Sequence, residues 1–279
     1  MTAINPETNP YKQTLTQKLL GRNYKWFFIS LQGFKSNTTY RYNSIAWLLS
    51  SVVLVLGALI VWYINFQNNL NSDGFKEIFT YFIIGESFIF SSAIQFDIGE
   101  NIQDGKFTSR LLSPTNYIKR YIAFQFGYQL FENLSKMILY LLIAFIFYQY
   151  FILASIFNLL LFFVVAIMAY VINVFIGIII GASAFFLTAF FGSAAFFDSL
   201  KLVLGGRLFP LNSLKALFPL IFTPFAFTFY HPMQIYLGKY SALETVYVFG
   251  GGVAWCIILY YLAKWVFKMG LKKNEAVGL

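Results

Sequence analysis

The sequence predicts an all-α integral membrane protein with six transmembrane helices. Three observations carry this. Of its 279 residues 59% are hydrophobic and only 11% charged, against about 25% charged in soluble domains. Between Lys136 and Asp198 there is no Asp, Glu, Lys or Arg for 61 positions, room for about three spans at roughly 20 residues each. The apolar runs are continuous, which excludes a β-barrel, whose strands alternate. A mean hydropathy of +0.67 with 35 Phe, 19 Tyr and 5 Trp leaves more apolar surface than a domain of this size could hide from water. Its solvent is therefore lipid.

The elements follow in chain order. Residues 1–44 form a cytoplasmic or interfacial segment. Within it, 11–36 mixes Lys12, Lys18, Arg22, Lys25 and Lys35 with Leu19, Leu20, Trp26, Phe27, Phe28 and Phe34. That mixture fits an N-terminal interfacial helix or, equally, a basic topogenic flank. The first 40 residues lack the short basic stretch and apolar core of a secretion signal, so the N-terminus is expected to stay inside. A six-span domain occupies 45–266. Span one is 45–64. A polar loop, 67–74, leads to span two, 75–94, which carries Glu86. A cytoplasmic loop, 95–120, precedes span three at 121–149. The apolar block beyond it divides near Phe151 and again near Asn173, giving spans four and five.

Residues 205–240 hold four of the seven prolines, Pro210, Pro219, Pro224 and Pro232. Each interior proline removes a helical hydrogen bond and disfavours helix just before it. A broken, re-entrant hairpin on the outer side is expected there, between spans five and six. Span six runs over 245–266, ahead of a basic tail, 267–279, with Lys268, Lys272 and Lys273.

Six spans return both termini to one side, and the charges say which. Residues 1–44 hold six Lys and Arg, 95–120 hold four and 264–279 hold four, out of 20. The positive-inside bias makes that side cytoplasmic. It also explains the net charge of +9 without nucleic acid. Lys76, Lys201, Arg207, Lys215 and Lys239 are expected on the opposite face or its border.

Several candidate chemistries fail on inspection. One cysteine, Cys256, and one histidine, His231, assemble neither a disulfide framework nor a zinc site. The stretch GENIQDGKF at 99–107 is no phosphate-binding loop, because five residues separate Gly99 from Gly105 and Phe107 replaces the required Ser or Thr. ATP and Mg are therefore expected on a partner, with no cofactor or metal on this chain and no catalytic residue. What does stand out is span three. Tyr121, Gln125, Gln129, Glu132, Lys136 and Tyr140 recur at helical spacing and share one stripe roughly 100° wide. Charged groups at membrane depth must pair or be hydrated, and Glu132 can pair with Lys136 at i, i+4. The stripe lines a translocation pathway or subunit seam, or it is a self-paired packing face. Glu86, the other intramembrane acid, is counted with the same pathway or seam and is expected to pack against a polar neighbour rather than relay protons, since no chain of acids and histidines accompanies it. Gly177 and Gly181 form a GxxxG that permits close helix approach.

Four stretches together carry a family likeness: TTYRYN at 38–43, IQDGKFTSRLLSPTNY at 102–117, GGRLFPL at 205–211 and TPFAFTFYHPMQIYLG at 223–238. In order and spacing the chain resembles the permease subunits of type 2 ABC exporters, of the six-span branch with paired permeases and a separate ATPase. It departs from the pattern at Ser113, where a basic residue is common. The resemblance implies a dimer with a second permease, the same chain or a paralogue, in a bacterial plasma membrane. ATP-binding cassette ATPase subunits would drive it. The coupling loop would present Asp97, Glu100, Asp104, Lys106 and Arg110 as a mixed-charge surface, with Phe107, Leu111 and Leu112 as anchors. The outer hairpin would be built around Gly206, Arg207, Pro210, Pro224, Phe225 and Pro232. Two competitors differ in class. A lipid-modifying enzyme would need acids or histidines clustered at one membrane surface, and a secondary transporter would show repeated helix pairs around a midplane site. Neither pattern is found.

Overall fold

The computed structural model describes residues 24–39, 41–67, 70, 72–88, 93–107, 117–213 and 215–277, and they are helical throughout apart from turns and short connections. Nine α-helices order them: α1 (Tyr24–Thr39), α2 (Arg41–Phe66), α3 (Asp73–Phe88), α4 (Ile94–Gln103), α5 (Tyr117–Ile146), α6 (Ile156–Ala182), α7 (Phe190–Leu204), α8 (Tyr230–Tyr236) and α9 (Ala242–Val277). Four stretches of helix are long and apolar enough to cross a membrane: Ser44–Phe66, Ile118–Ile146, Ile156–Phe185 and Ala242–Lys273. The residues expected as span two fall on α3, whose 16 residues extend about 24 Å, and on α4; those expected as span five fall on the end of α6 and on α7, which has 15 residues, so neither α3 nor α7 is among the four.

Two expected boundaries move. Asn173 does not divide the apolar block; it lies inside the uninterrupted α6, and the break falls instead at Ser183–Ala189, between α6 and α7. An asparagine in a long apolar run does not end a helix when its amide reaches protein rather than lipid. Likewise the loop expected from residue 95 begins as helix. Ile94, Ile98 and Ile102 make an apolar face on α4, and Gly177 and Gly181 of α6 receive it. A methyl at Gly177 would overlap Ile94, and one at Gly181 would press on Ile98, so the GxxxG does admit a close helix.

The N-terminal helix α1 is packed along α5. Gly33 lies against the Phe124 carbonyl and Gly127 against the Ser30 carbonyl, each too close for a side chain. Ser30 Oγ donates to Ala123 O at 2.7 Å, and Asn37 Nδ2 to Tyr128 O at 3.0 Å. Tyr24, Phe27 and Phe28 remain exposed. Residues 1–23 of the expected N-terminal segment lie outside the described residues.

The bundle has two distinct ends. At one, Lys239 pairs with Glu77, Ile152 N donates to Thr80 Oγ1 at 2.9 Å, and Tyr236 caps Ile152 O. At the other, Asn101 donates to Tyr121, Gln103 to Thr188 O at 2.9 Å, and Phe107, Phe185 and Phe267 form a ring cluster. The basic residues Lys119, Arg120, Lys264 and Lys268 neighbour this second end in sequence.

Between α7 and α9 the chain is broken into 3₁₀ helices at Leu211–Ser213, Lys215–Phe222 and Ala226–Thr228 before α8, with Pro219 inside the second of these and Pro232 inside α8. Gly205 caps α7 and Gly206 follows with φ +79°. Gly206 N bonds Val203 O at 3.1 Å and Arg207 N bonds Leu202 O at 3.1 Å. This is a Schellman C-cap, which requires a left-handed residue at Gly206.

Candidate functional site: a charged cavity between the helices

The stripe on α5 faces protein. Tyr121, Gln125, Gln129, Asn133, Lys136 and Tyr140 are all buried, with Glu132 partly so. Glu132 and Lys136 pair at 2.8 Å, as their spacing requires. Tyr140 Oη donates to Ser51 Oγ of α2 at 3.1 Å. Gln129 carries a buried side chain whose amide nitrogen and oxygen find no partner among the described residues.

Glu86 finds its polar neighbour on the far segment. Arg207 grips it with two donors: Nε to Oε1, and Nη2 to Oε2 at 2.6 Å. The glutamate is 2% exposed and the arginine side chain 27%. The Schellman cap sets this geometry, because the turn at Gly206 points the next residue back toward α3. Tyr81 Oη secures the turn by donating to Gly206 O at 2.6 Å.

Glu132, Lys136 and Arg207 line one cavity of about 390 Å³, with Glu86 behind Arg207. From α5 come Tyr128, Glu132 and Lys136, and from α6 Asn173. Helix α2 contributes Trp47, Ser50, Ser51 and Leu54. Helix α7 contributes Asp198, Ser199, Lys201 and Leu202; Arg207, Thr228 and Phe229 follow beyond it, and Ala93 and Phe96 come from the start of α4. Asp198 and Lys201 form a third ion pair at 2.7 Å, one turn apart on α7. Gln95 Nε2 of α4 donates to both oxygens of Asp198 at 2.8 Å. Charges in such a place are affordable only when paired, and each of these is.

The structure thus gathers Glu86, Glu132, Lys136 and Arg207, while Gln125 and Gln129 stay inside the bundle beside them. Lys201 and Arg207, expected on the outer face or its border, line the cavity. Asp198 and Gln95 were not anticipated as site residues. The signal that could have found the pair is the spacing: Asp198 ends the 61-residue uncharged block and Lys201 lies three positions on, one helical turn away. Pro210 is buried beside the α7 cap; Pro224 and Phe225 pack at the turns, and Pro232 is buried in α8.

The expected coupling surface divides. Glu100, Asp104 and Lys106 are exposed, the last two paired at 2.6 Å, and Asp97 is half-buried. Phe107 is not an anchor for a partner: it is 1% exposed, held between Phe185 and Phe267. A phenylalanine packed between two other aromatic rings is more stable inside than in water. Arg110, Leu111 and Leu112 lie outside the described residues. Among the described residues no cluster of His, Cys, Asp or Glu could hold a metal ion.

A helical bundle with membrane-spanning helices and paired charges around an interior cavity defines an integral membrane protein built to tolerate polar chemistry within its bilayer region. Its lineage is specific: residues 52–278 match the family described as ABC-2 family transporter protein, and the chain belongs to that family as an ABC-2 type permease. Among curated proteins none matches it.

Proposed function

We propose that the chain is the membrane subunit of an ATP-binding cassette exporter, forming the translocation pathway with a second permease and driven by separate ATPase subunits. The observation that carries the reading is the charged cavity inside an ABC-2 type bundle whose sequence holds no phosphate-binding loop. Six crossings fit this role, with α3 and α4 together making the second and α7 the fifth. The hairpin after α7 then lies at the outer side, and the basic end of the bundle, with both termini, faces the cytoplasm of a bacterial cell. The exposed part of the coupling segment, Glu100, Asp104 and Lys106, is the surface offered to the ATPase. Phe107 has a different part: buried against Phe185 and Phe267, it ties that segment to the ends of α6 and α9. Displacement of the loop is thereby passed to two long helices through packed rings, which transmit strain well.

The test is reconstitution. The purified chain alone hydrolyses no ATP, and hydrolysis appears when the cognate ATPase subunit is added. Glu100→Lys lowers coupled hydrolysis and transport while leaving insertion unchanged, because docking depends on surface charge and not on membrane packing. Nucleotide binding by the isolated chain would overturn the reading.

A further inference from the structure

The cavity has a charge composition that selects among ligands. Its ionised groups are Glu132 with Lys136, Asp198 with Lys201, and Arg207 with Glu86 behind it. Three cations meet three carboxylates, and the set has no net charge. A ligand with net charge would enter a poorly hydrated space without compensation, which is costly. A zwitterion brings its own compensation. Its ammonium can join the carboxylate of Asp198, and its anionic end can join Lys201 or Arg207, without stranding any resident group.

Two further features refine the class. The wall carries Trp47, Tyr128, Phe96 and Phe229, and aromatic faces attract ammonium groups. The side between α2 and α7 is open: Trp47 is 57% exposed, Ser50 and Ser199 are exposed, and Phe196 and Val53 extend apolar surface beside them. An apolar body attached to the polar group can therefore remain in that surface while the polar group enters. The volume, about 390 Å³, lies within the range of about 300–1,000 Å³ usual for small-molecule sites.

We infer that this cavity binds a zwitterionic head group, an ammonium close to a phosphate or carboxylate, carried on an apolar body. The inference rests on the permease reading, since it names the substrate class of that same cavity, but it is tested separately from it.

Binding to the purified full chain in detergent micelles, without nucleotide or ATPase, is measured by titration calorimetry with three probes. Dihexanoylphosphatidylethanolamine is the zwitterion on apolar tails. Dihexanoylphosphatidylglycerol has the same tails and a net negative charge. Glycerophosphoethanolamine is the zwitterion without tails. The ethanolamine lipid is expected to saturate and to bind about tenfold more tightly than the glycerol lipid, a discrimination equal to one decade of affinity. Comparable binding of the tail-free probe would overturn the apolar body and leave a soluble zwitterion as the ligand; binding of the lipid alone supports a lipid head group.

The charge balance is then shifted. Asp198→Asn keeps an acceptor for Gln95 but makes the cavity positive, and moves the preference toward the glycerol lipid by about tenfold; Lys201→Met makes it negative and moves the preference the other way. If either variant fails to elute as the parent does, Ser199→Lys and Ser199→Asp add the same charges at an exposed wall position without removing a partner. Equal affinity for the two lipids, a preference indifferent to these substitutions, or no saturable binding of any probe would overturn the inference. Transport with an ATPase partner would survive that outcome, whereas loss of ATPase coupling with intact zwitterion binding would overturn only the permease reading.

Discussion

Arg207→Met leaves the Glu86 carboxylate without a partner at a position 2% exposed, and the stability lost should exceed that of the reverse deletion. Removing one member of a buried pair costs about 3–5 kcal/mol because the other charge is stranded. The two deletions are unequal in this structure. A stranded Glu86 has no route to water, so Arg207→Met should cost about 4 kcal/mol, near the middle of that range. A stranded Arg207, 27% exposed, regains part of its hydration, so Glu86→Met should cost only about 2 kcal/mol, comparable to one lost charge-assisted hydrogen bond. In Glu86→Met with Arg207→Met neither charge remains, and the loss should be about 2 kcal/mol or less, since apolar replacement of a whole buried pair is often close to neutral. The coupling energy is then roughly 4 kcal/mol or more, beyond the usual upper end of about 3 kcal/mol for residues in contact. The assay is reversible unfolding in mixed SDS and detergent micelles, followed by near-ultraviolet circular dichroism. Additive losses, or a larger loss for Glu86→Met than for Arg207→Met, would refute the argument from unequal burial.

The second pair behaves similarly: Glu132→Ala should destabilise more than Glu132→Gln combined with Lys136→Met, and a double variant that folds but no longer transports places the pair in the pathway. Gly206→Ala should cost about 1–2 kcal/mol from the left-handed backbone alone, and more through its approach to Tyr81 Oη and Tyr230; unchanged stability in the same micelle titration would contradict the cap. Gly127→Ala should loosen α1 from α5 and expose the segment near Thr39 to protease, whereas Gly57→Ala, with nothing within 4 Å, should change the digestion pattern little. Cysteine placed at Asn212 should react with an impermeant reagent added outside sealed cells and cysteine at Asn274 should not; the opposite result reverses the topology.

What the sequence alone determined here is local or compositional. Lipid as solvent follows from the balance of apolar and charged residues. The inward stripe on α5 and the Glu132 to Lys136 pair follow from helical period, because residues four apart share a face whatever surrounds them. The prolines between 205 and 240 act on their own backbone, so the break between α7 and α9 was legible too. The family likeness rested on short motifs in order and was upheld over residues 52–278.

Other features depended on which helices become neighbours. Glu86 and Arg207 stand 121 positions apart, and Gln95 and Asp198 stand 103 apart; no period within either segment encodes their meeting. The same holds for the Gly127 contact with Ser30 and for Phe107, whose place in the sequence suggests an exposed loop until α9 covers it. Helix α6 passes through Asn173 unbroken because that side chain reaches a cavity lined by charged residues of other segments, among them α5, α7 and Arg207. Local periodicity assigns each residue a direction from its own helix axis, but whether that direction leads to lipid, to a paired charge or to a cavity is decided by the packing of chains distant in sequence.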